Sequence, residues 1–289
     1  MKFDLKDLTT VEKQYYLQHI IAPRPICFAS TIDKSGHVNL SPFSFFNMFS
    51  SNPPIVIFSP SRRVRDNTTK HTLQNVMEVA EVVINMVSYD MVQQTSLASC
   101  DFAREDDEFL KAGFTKELAT MVSPPMVKES KAKLECKVLK ITSLGLQGGA
   151  GNLVICEVLC VHIHNTLLND DKKFDQTKFD LVARLGGDWY SKISKENLFK
   201  VPKPNVLVGI GIDRLPQNIR NSKVLTGNHL GKLANVTQIP SKDPSFNADH
   251  LTSSFCAEID TEHEFHLHQC AAMLLDDNKI MEAWQVLIS

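Results

Sequence analysis

Two runs near the middle of the chain constrain the fold most: AKLECKVLKITSLGL (132–146) and NLVICEVLCVHIHN (152–165), separated by QGGAG. Each alternates apolar and polar residues over about a dozen positions. That is the period of an extended strand with one face on a core and the other outward. The glycine-rich joint suits a turn between paired strands, so the stretch predicts one long β-hairpin.

The segment before it carries the same signal in shorter pieces. ICFASTID (26–33), VNLSPFSFFN (38–47) and PPIVIFSP (53–60) are rich in β-branched and aromatic residues and are bounded by Gly, Asn and Pro. Asp33-Lys34-Ser35-Gly36 reads as a hairpin turn. NTTKHTLQNVMEVAE has apolar residues at Leu73, Val76, Met77 and Ala80, the spacing of a helix, with Thr68 or Thr69 as its cap. EVVINMVSYD returns to strand, and residues 91–114 read as two short helices broken near Asp101. Residues 1–20 read as a lead-in with a short helical turn. Short strands with connecting helices predict a mainly β, α+β fold built as a barrel, not a doubly wound sheet.

A soft boundary falls near 200, at KVPKPN, giving a main domain over 1–200 and a mostly helical extension over 201–289. In the extension, NVLVGIGI predicts one more strand, and residues 260–288 predict two amphipathic helices joined by DDNK. Net charge is −2, which gives no electrostatic reason to expect nucleic acid or an anionic membrane as a partner. No apolar run approaches the length of a membrane span, and the first twenty residues lack the pattern of a signal peptide. Seven cysteines without a C-x-x-C pair, several inside apolar runs, fit a reduced cytoplasmic protein.

Familiar catalytic signatures are missing. GIGIDR (209–214) lacks the third glycine of a dinucleotide fingerprint, and no P-loop or G-x-S-x-G elbow occurs. GLQGGAG (145–151) reads as a mobile hairpin loop, because no helix follows to supply a dipole for phosphate. In HEFHLHQC, His263, His266 and Cys270 share a helix face, but no second ligand cluster of recognised spacing accompanies them, so a polar helix face is the reading and no metal is expected. FAREDDEF (102–109) reads as a solvated charge run.

The stretch from Asn39 to Arg63 is different, because it interleaves aromatic residues with serines and asparagines. With STID (30–33) and NTTKHTLQN (67–75) it brings hydroxyls, amides and apolar rings to strand ends and a helix start. A planar aromatic ligand with an anionic tail needs those three kinds of group.

At this point the chain resembles the flavin reductase-like family. The matching blocks are APRPICFASTID, then NLSPFSFFNMFSSNPPIVIFSP, HTLQNV, VVINMVS, SPPMVKESKAKLEC, GNLVICEV and LVARLGGDWYSKI, in order over roughly residues 20–200. The last 90 residues resemble the extension of a longer subgroup. The resemblance implies an FMN-binding split β-barrel of Greek-key type, a homodimer with FMN at the interface, and reduction of the flavin by NADH or NADPH. Electrons would then pass to an acceptor or a partner oxygenase.

Carried over by block, the resemblance implies that Ser30 and Thr31 lie near the phosphate or ribityl chain. Ser41, Phe43, Ser44 and Asn47 would form the loop around the flavin, with a backbone N–H of 43–47 near N1 or O2. Ser59 and Arg62 would follow, and Lys70, Thr72 and Asn75 would approach the phosphate. ARLGGDWY (183–190) would close over the site, with Trp189 or Tyr190 offering a ring. Cys27 and the arginine-rich SRRVRDNTTK depart from the commoner family form. No side chain is expected to be catalytic in its own right, since a flavin supplies the chemistry. Two further readings stand beside this one: an FMN electron carrier reduced by a partner protein, and a binding module that has lost its flavin.

Overall fold

The computed structural model describes residues 1–202, 208–246 and 263–289. The chain divides into two compact units, Met1–Phe199 and Lys200–Ser289.

In the first unit a helix, α1 (Thr10–Ile20), precedes strands β1 (Arg24–Pro25), β2 (Cys27–Ile32), β3 (Val38–Phe43), β4 (Phe46–Ser51) and β5 (Pro54–Phe58). Helix α2 (His71–Glu78), strand β6 (Glu81–Met86) and the short helices α3 (Val92–Leu97) and α4 (Glu108–Ala112) follow. Strands β7 (Lys116–Glu117), β8 (Met126–Val127), β9 (Ala132–Ser143), β10 (Asn152–Ile163), β11 (Val182–Arg184) and β12 (Tyr190–Lys192) complete the unit.

Seven strands form one antiparallel sheet in the order β3-β2-β6-β9-β10-β5-β4. Its two outermost strands, β3 and β4, are consecutive in the chain and are joined only by Ser44 and Phe45. A flat seven-stranded sheet would hold its edges some 29 Å apart, at about 4.8 Å per strand. Two residues cannot span that gap, so the sheet must curl until its edges meet. The result is a barrel with an unpaired seam. Ser59 N–H donates to the Phe45 carbonyl at 2.9 Å and carries the β4–β5 pairing one residue beyond Phe46 and Phe58.

Inside lie Cys27, Ala29, Phe43, Val56, Phe58, Val82, Ile84, Cys136, Val154 and Cys156, with Leu73 and Val76 of α2 beneath them. Phe28, Leu40 and Phe109 belong to a second cluster on the other side of β2. β2 is therefore buried on both faces, which explains why ICFAS reads as a continuous apolar run without alternation. The buried thiols act as small core hydrophobes: burial raises the pKa of all three, and Cys156 is pushed up to about 12. Cys27, Cys136 and Cys156 are free thiols, and Cys256 lies outside the described residues.

Several local expectations need correction. The lead-in is an eleven-residue helix whose start is a capping box between Thr9 and Glu12. Its signal, T-x-x-E, is present in TTVEK. α2 begins after Lys70, which makes no side-chain cap; the Thr68 hydroxyl instead donates to Asp66 Oδ1 at 2.6 Å. No strand forms over the described part of NVLVGIGI, and residues 205–207 lie outside the described residues. There Ile210 N–H donates to the Val236 carbonyl, and a Cβ on Gly209 would lie 2.7 Å from the Ala234 carbonyl oxygen. The small residues of GIGID thus serve a close backbone approach.

The second unit has its own core around Trp284, Leu233, Ile219 and Leu275. Helices His263–Asp276 and Ile280–Leu287 form the expected pair, and residues 260–262 of that expectation lie outside the described residues. Trp284 Nε1–H donates to the Leu233 carbonyl at 3.2 Å, and His229 pairs with Asp276 at 2.9 Å. His268 and Cys270 are buried, so that part of the histidine run faces the core and is not a polar surface. Among the described residues, no helix is long and apolar enough to cross a membrane.

Candidate functional site

The site is organised by the loop from Ser59 to Lys70, between β5 and α2. The β9–β10 turn does not project freely but docks on this loop. Arg62 N–H donates to the Ala150 carbonyl and Gly149 N–H to the Arg62 carbonyl, both at 2.9 Å. A Cβ on Gly148 would sit 3.0 Å from the carbonyl oxygens of Arg63 and Val64, so glycine is what lets the turn lie against them.

That loop carries three arginines with separate fates. Arg62 is engaged within the loop: Nε and Nη2 donate to the side chain and the carbonyl of Asn67, both at 2.6 Å. Asn67 holds a positive φ of 58° to receive it. Arg63 is fixed by Nη1, which donates to Thr68 Oγ1 at 2.9 Å and to the Thr69 carbonyl at 2.7 Å. Its Nε and Nη2 turn to Asp101 Oδ1 at 3.1 and 2.9 Å, where Lys70 Nζ also arrives at 3.1 Å. Arg65 reaches the other oxygen of Asp101 at 2.6 Å. Burial works against the ionised form of Asp101, but these hydrogen bonds outweigh it and hold its carboxyl well below the usual range.

Beside this cluster runs a groove of about 570 Å³, walled by α1 on one side and the arginine loop on the other. Leu17, Ile21, Phe45 and Val64 supply apolar surface. Lys13, Arg24, Arg62, Arg63 and Lys70 supply five positive charges, and among the described residues no carboxylate lines it. Arg63 and Lys70 also line a smaller polar pocket at the start of α2, together with Ser41, Thr72 and Asp101. A cation at a helix N-terminus is opposed by the helix dipole, so Lys70 sits where local rules disfavour it unless an anion is near.

The pocket rests on a buried polar chain. Thr72 Oγ1–H donates to Asn39 Oδ1, and Asn39 Nδ2–H donates to Glu108 Oε1, each at 2.6 Å. Glu108 also accepts from Leu40 N–H at 3.1 Å, and burial raises its pKa. Asn75 Nδ2–H donates to Thr31 Oγ1 at 3.2 Å.

Of the residues singled out in the sequence, Ser41, Lys70 and Thr72 meet in the small pocket, and Lys70 and Arg62 line the groove. Phe43 and Ser44 line a third hollow, intermediate in size, with Tyr190 and Arg184. Phe43 also belongs to the barrel core, and the Ser44 hydroxyl accepts from Arg24 Nε at 3.4 Å. Ser30, Thr31, Ser59 and Asn75 are buried, and Ser30 Oγ has no hydrogen-bond partner among the described residues. Asn47 is exposed on β4 and caps its own neighbour, Met48 N–H, at 2.8 Å. Trp189 is 74% exposed. None of these last six lines the groove or the small pocket.

Arg24, Arg63, Asp101 and the face of α1 were not singled out in the sequence. Arg63 adjoins Arg62 with nothing local to distinguish them, and α1 and Asp101 reach the site only by tertiary folding. The 183–190 loop also behaves unexpectedly: a Cβ on Gly186 would lie 2.2 Å from the His19 ring, so its close approach is to α1.

Elsewhere, Glu135, Cys160 and His162 bring possible ligand atoms within 4.8 Å of one another. The Glu135 carboxylate is already taken by Thr120, Met121 and Val122 N–H groups, the Thr120 hydroxyl and His162. Those bonds tie residues 120–122 to β9, a structural task with little coordination left for an ion.

A seven-stranded antiparallel sheet curled until its edges nearly meet is a split β-barrel. The chain belongs to the flavin reductase like domain family, whose model matches residues 20–178. It is 36% identical over 182 residues to an uncharacterized protein of Aquifex aeolicus, covering 63% of this chain and 90% of that one. It superposes on nitrilotriacetate monooxygenase component B from Bacillus cereus with TM-score 0.64 and 25% identity, covering 70% of this chain and 99% of that one. A Shewanella frigidimarina protein with a split barrel domain, provisionally assigned as a flavin reductase, gives TM-score 0.59 and 26% identity over 70% of this chain and 99% of that one.

Proposed function

We propose that this chain is an FMN-binding oxidoreductase in which NADH or NADPH reduces the flavin. The observation that carries the reading is the groove beside α1, which joins an apolar wall to a cationic end without a carboxylate among its lining residues. Its volume lies within the range that holds ligands of this size. The donor set fits FMN: a flat, largely apolar ring and a phosphate that calls for charged donors.

Arg63 and Lys70 would hold the phosphate, with Thr72 and Ser41 completing that end. Leu17, Ile21 and Phe45 would pack on the ring or the ribityl chain. Ser44 and Asn47 would meet the ring's polar edge, partly through the backbone of 43–47, with Phe43 supporting them from the core. Ser30, Thr31, Ser59 and Asn75 would act from beneath by holding strand ends and the start of α2. Arg62 would shape the loop, and Trp189 would cover the site from solvent. When bound, FMN supplies hydride acceptance at N5 from C4 of the nicotinamide, so the protein's part is position, charge and exclusion of water.

A homodimer belongs to the same reading. α1 buries none of its residues within the chain and leaves Val11, Tyr15, Leu17, Ile20 and Ile21 exposed. Phe45, Met48 and Phe49 are exposed nearby on β4 and its approach. That much apolar surface on one element suits a second copy. The monooxygenase component from Bacillus cereus supports an onward route in which reduced flavin serves a partner oxygenase.

The test is anaerobic. Desalted protein reconstituted with FMN is mixed with NADH and then with NADPH, and the oxidised-flavin absorbance is followed. Rapid bleaching by either nucleotide is the expected result and identifies the reductant. A yellow protein that neither bleaches would instead be an electron carrier loaded by another protein. A pure protein that takes up no FMN would end both readings.

A further inference from the structure

The cluster around Asp101 contains more than a cation site. Three positive side chains, Arg63, Arg65 and Lys70, converge on one carboxylate, and with Asp66 also paired to Arg65 the cluster keeps a local excess of one positive charge. The edge of Arg63 formed by Nε and Nη2, which suits bidentate recognition of phosphate, is occupied by Asp101 Oδ1. Lys70 Nζ is drawn to the same oxygen.

Asp101 does not set the attachment of the two groove cations that it contacts, Arg63 and Lys70. Arg63 is oriented independently by Thr68 and Thr69 through Nη1. The Lys70 backbone is fixed at the start of α2, where its carbonyl accepts from Leu73 N–H at 3.0 Å. The helix thus sets the base of its flexible side chain, while Nζ is the part that meets Asp101. Arg65 differs, since its side chain is 65% exposed and its recorded partners are Asp66 and Asp101. If Asp101 gave up Arg63 and Lys70, Arg65 would still neutralise it.

From this arrangement we infer that Asp101 is an internal competitor for the phosphate-binding cations, which keeps a phosphate-bearing flavin exchangeable. This rests on the FMN reading above and adds to it. A phosphate engaging Arg63 and Lys70 displaces the Asp101 carboxylate onto Arg65, and loss of the phosphate lets it return. The exchange moves a charge pair without making or breaking a covalent bond. Its effect is to weaken FMN binding selectively, by taxing the phosphate and leaving the ring contacts alone. A flavin held in this way leaves quickly enough to serve an acceptor elsewhere.

The experiment compares the wild-type apoprotein with D101N, an isosteric change that removes the charge. Each is titrated with FMN and with riboflavin, which lacks the phosphate, while flavin fluorescence quenching is recorded. The expected result is a Kd for FMN lowered roughly two- to fivefold in D101N, the scale of a partly exposed ion pair, with riboflavin affinity unchanged. Unchanged riboflavin binding also reports an intact fold. Weaker FMN binding by D101N would overturn the inference, because Asp101 would then be organising the cations. Equal shifts for both flavins, or no shift for either, would overturn it too. If neither protein binds FMN, the FMN reading itself falls and takes this inference with it.

Discussion

Arg24 Nη2 donates to the carbonyl of Leu185 at 2.7 Å, joining two positions 161 residues apart. The same guanidinium donates through Nη1 to the carbonyls of Gln18 and Ile21 at the end of α1. One buried cation therefore satisfies the last carbonyls of the helix that walls the groove and ties them to the 183–190 loop. A positive charge at a helix C-terminus also agrees with the helix dipole. Burial, and to a lesser degree Arg184, lowers the pKa of Arg24.

Replacing Arg24 with alanine removes donors from three carbonyls at once. The expected loss is about 2–3 kcal/mol, the usual scale for hydrogen bonds to a charged group. It should appear as a lower urea midpoint and as earlier proteolytic cleavage within residues 10–21. Unchanged protection of that segment would mean that α1 is held by something else.

Arg62 and Arg63 should separate cleanly. R63A and K70A are expected to weaken FMN binding at least tenfold, as loss of a charge-assisted hydrogen bond implies, with little effect on riboflavin. R62A should mainly loosen the 59–70 loop, because its guanidinium is spent on Asn67. Parallel titrations with the two flavins distinguish these outcomes.

Phe43 and Trp189 were both candidates for the flavin site, and their stabilities should diverge. Phe43 is 8% exposed and packs 5.5 Å from the Phe58 ring, so F43A should cost about 3–5 kcal/mol. W189A should change the stability of the single chain by less than about 0.5 kcal/mol. Chemical denaturation of each variant measures this directly.

The carboxylate of Glu135 links stability to pH. Burial pushes its pKa up, but the Thr120 hydroxyl and N–H, Met121 N–H and His162 outweigh that and hold it at about 2. A depressed folded-state value means that the stabilisation is complete above the unfolded pKa of about 4.3 and fades as pH falls toward the folded value. The urea midpoint of the wild type should therefore drop between pH 4.3 and 2 more steeply than that of E135Q. Equal slopes would show that Glu135 is not responsible.

Gly209 tests the second unit. A Cβ there meets the Ala234 carbonyl oxygen at 2.7 Å, and backbone yields less readily than a side chain. G209A should destabilise this unit by about 1–3 kcal/mol, seen as a loss of helical signal at lower temperature. No change would mean that the 209 and 234 segments can separate without cost.

The long hairpin, the flanking short strands and α2 were readable from residue order because periodicity is a local property. β10 alternates in burial over its first half, β9 buries Lys133 and Glu135 on the face opposite Cys136 and Val138, and the Asp33–Gly36 turn closes with Gly36 at a positive φ of 91°. α1 was read only as a short helical turn, although its T-x-x-E cap stands in the sequence, because no apolar stripe announced it: none of its residues is buried within the chain. The site was legible only as a region. Ser41, Lys70 and Thr72 do converge, whereas Ser30, Thr31 and Asn75 are directed inward.

What the sequence determined by itself was the composition of the cradle: hydroxyls, amides and aromatic rings around Asn39–Arg63, and cations beside a helix start. Which of those groups face the groove was decided by the closure of the sheet. Bringing β3 and β4 together across Ser44 and Phe45 sets the loop after β5 against the β9–β10 turn, directs Arg62 to Asn67, and leaves Arg63 and Lys70 toward Asp101. Such choices depend on backbone groups and charges far apart in the chain, whose energies exist only once those partners meet. Local pattern therefore specified the strands, and long-range electrostatics and hydrogen bonding specified the site.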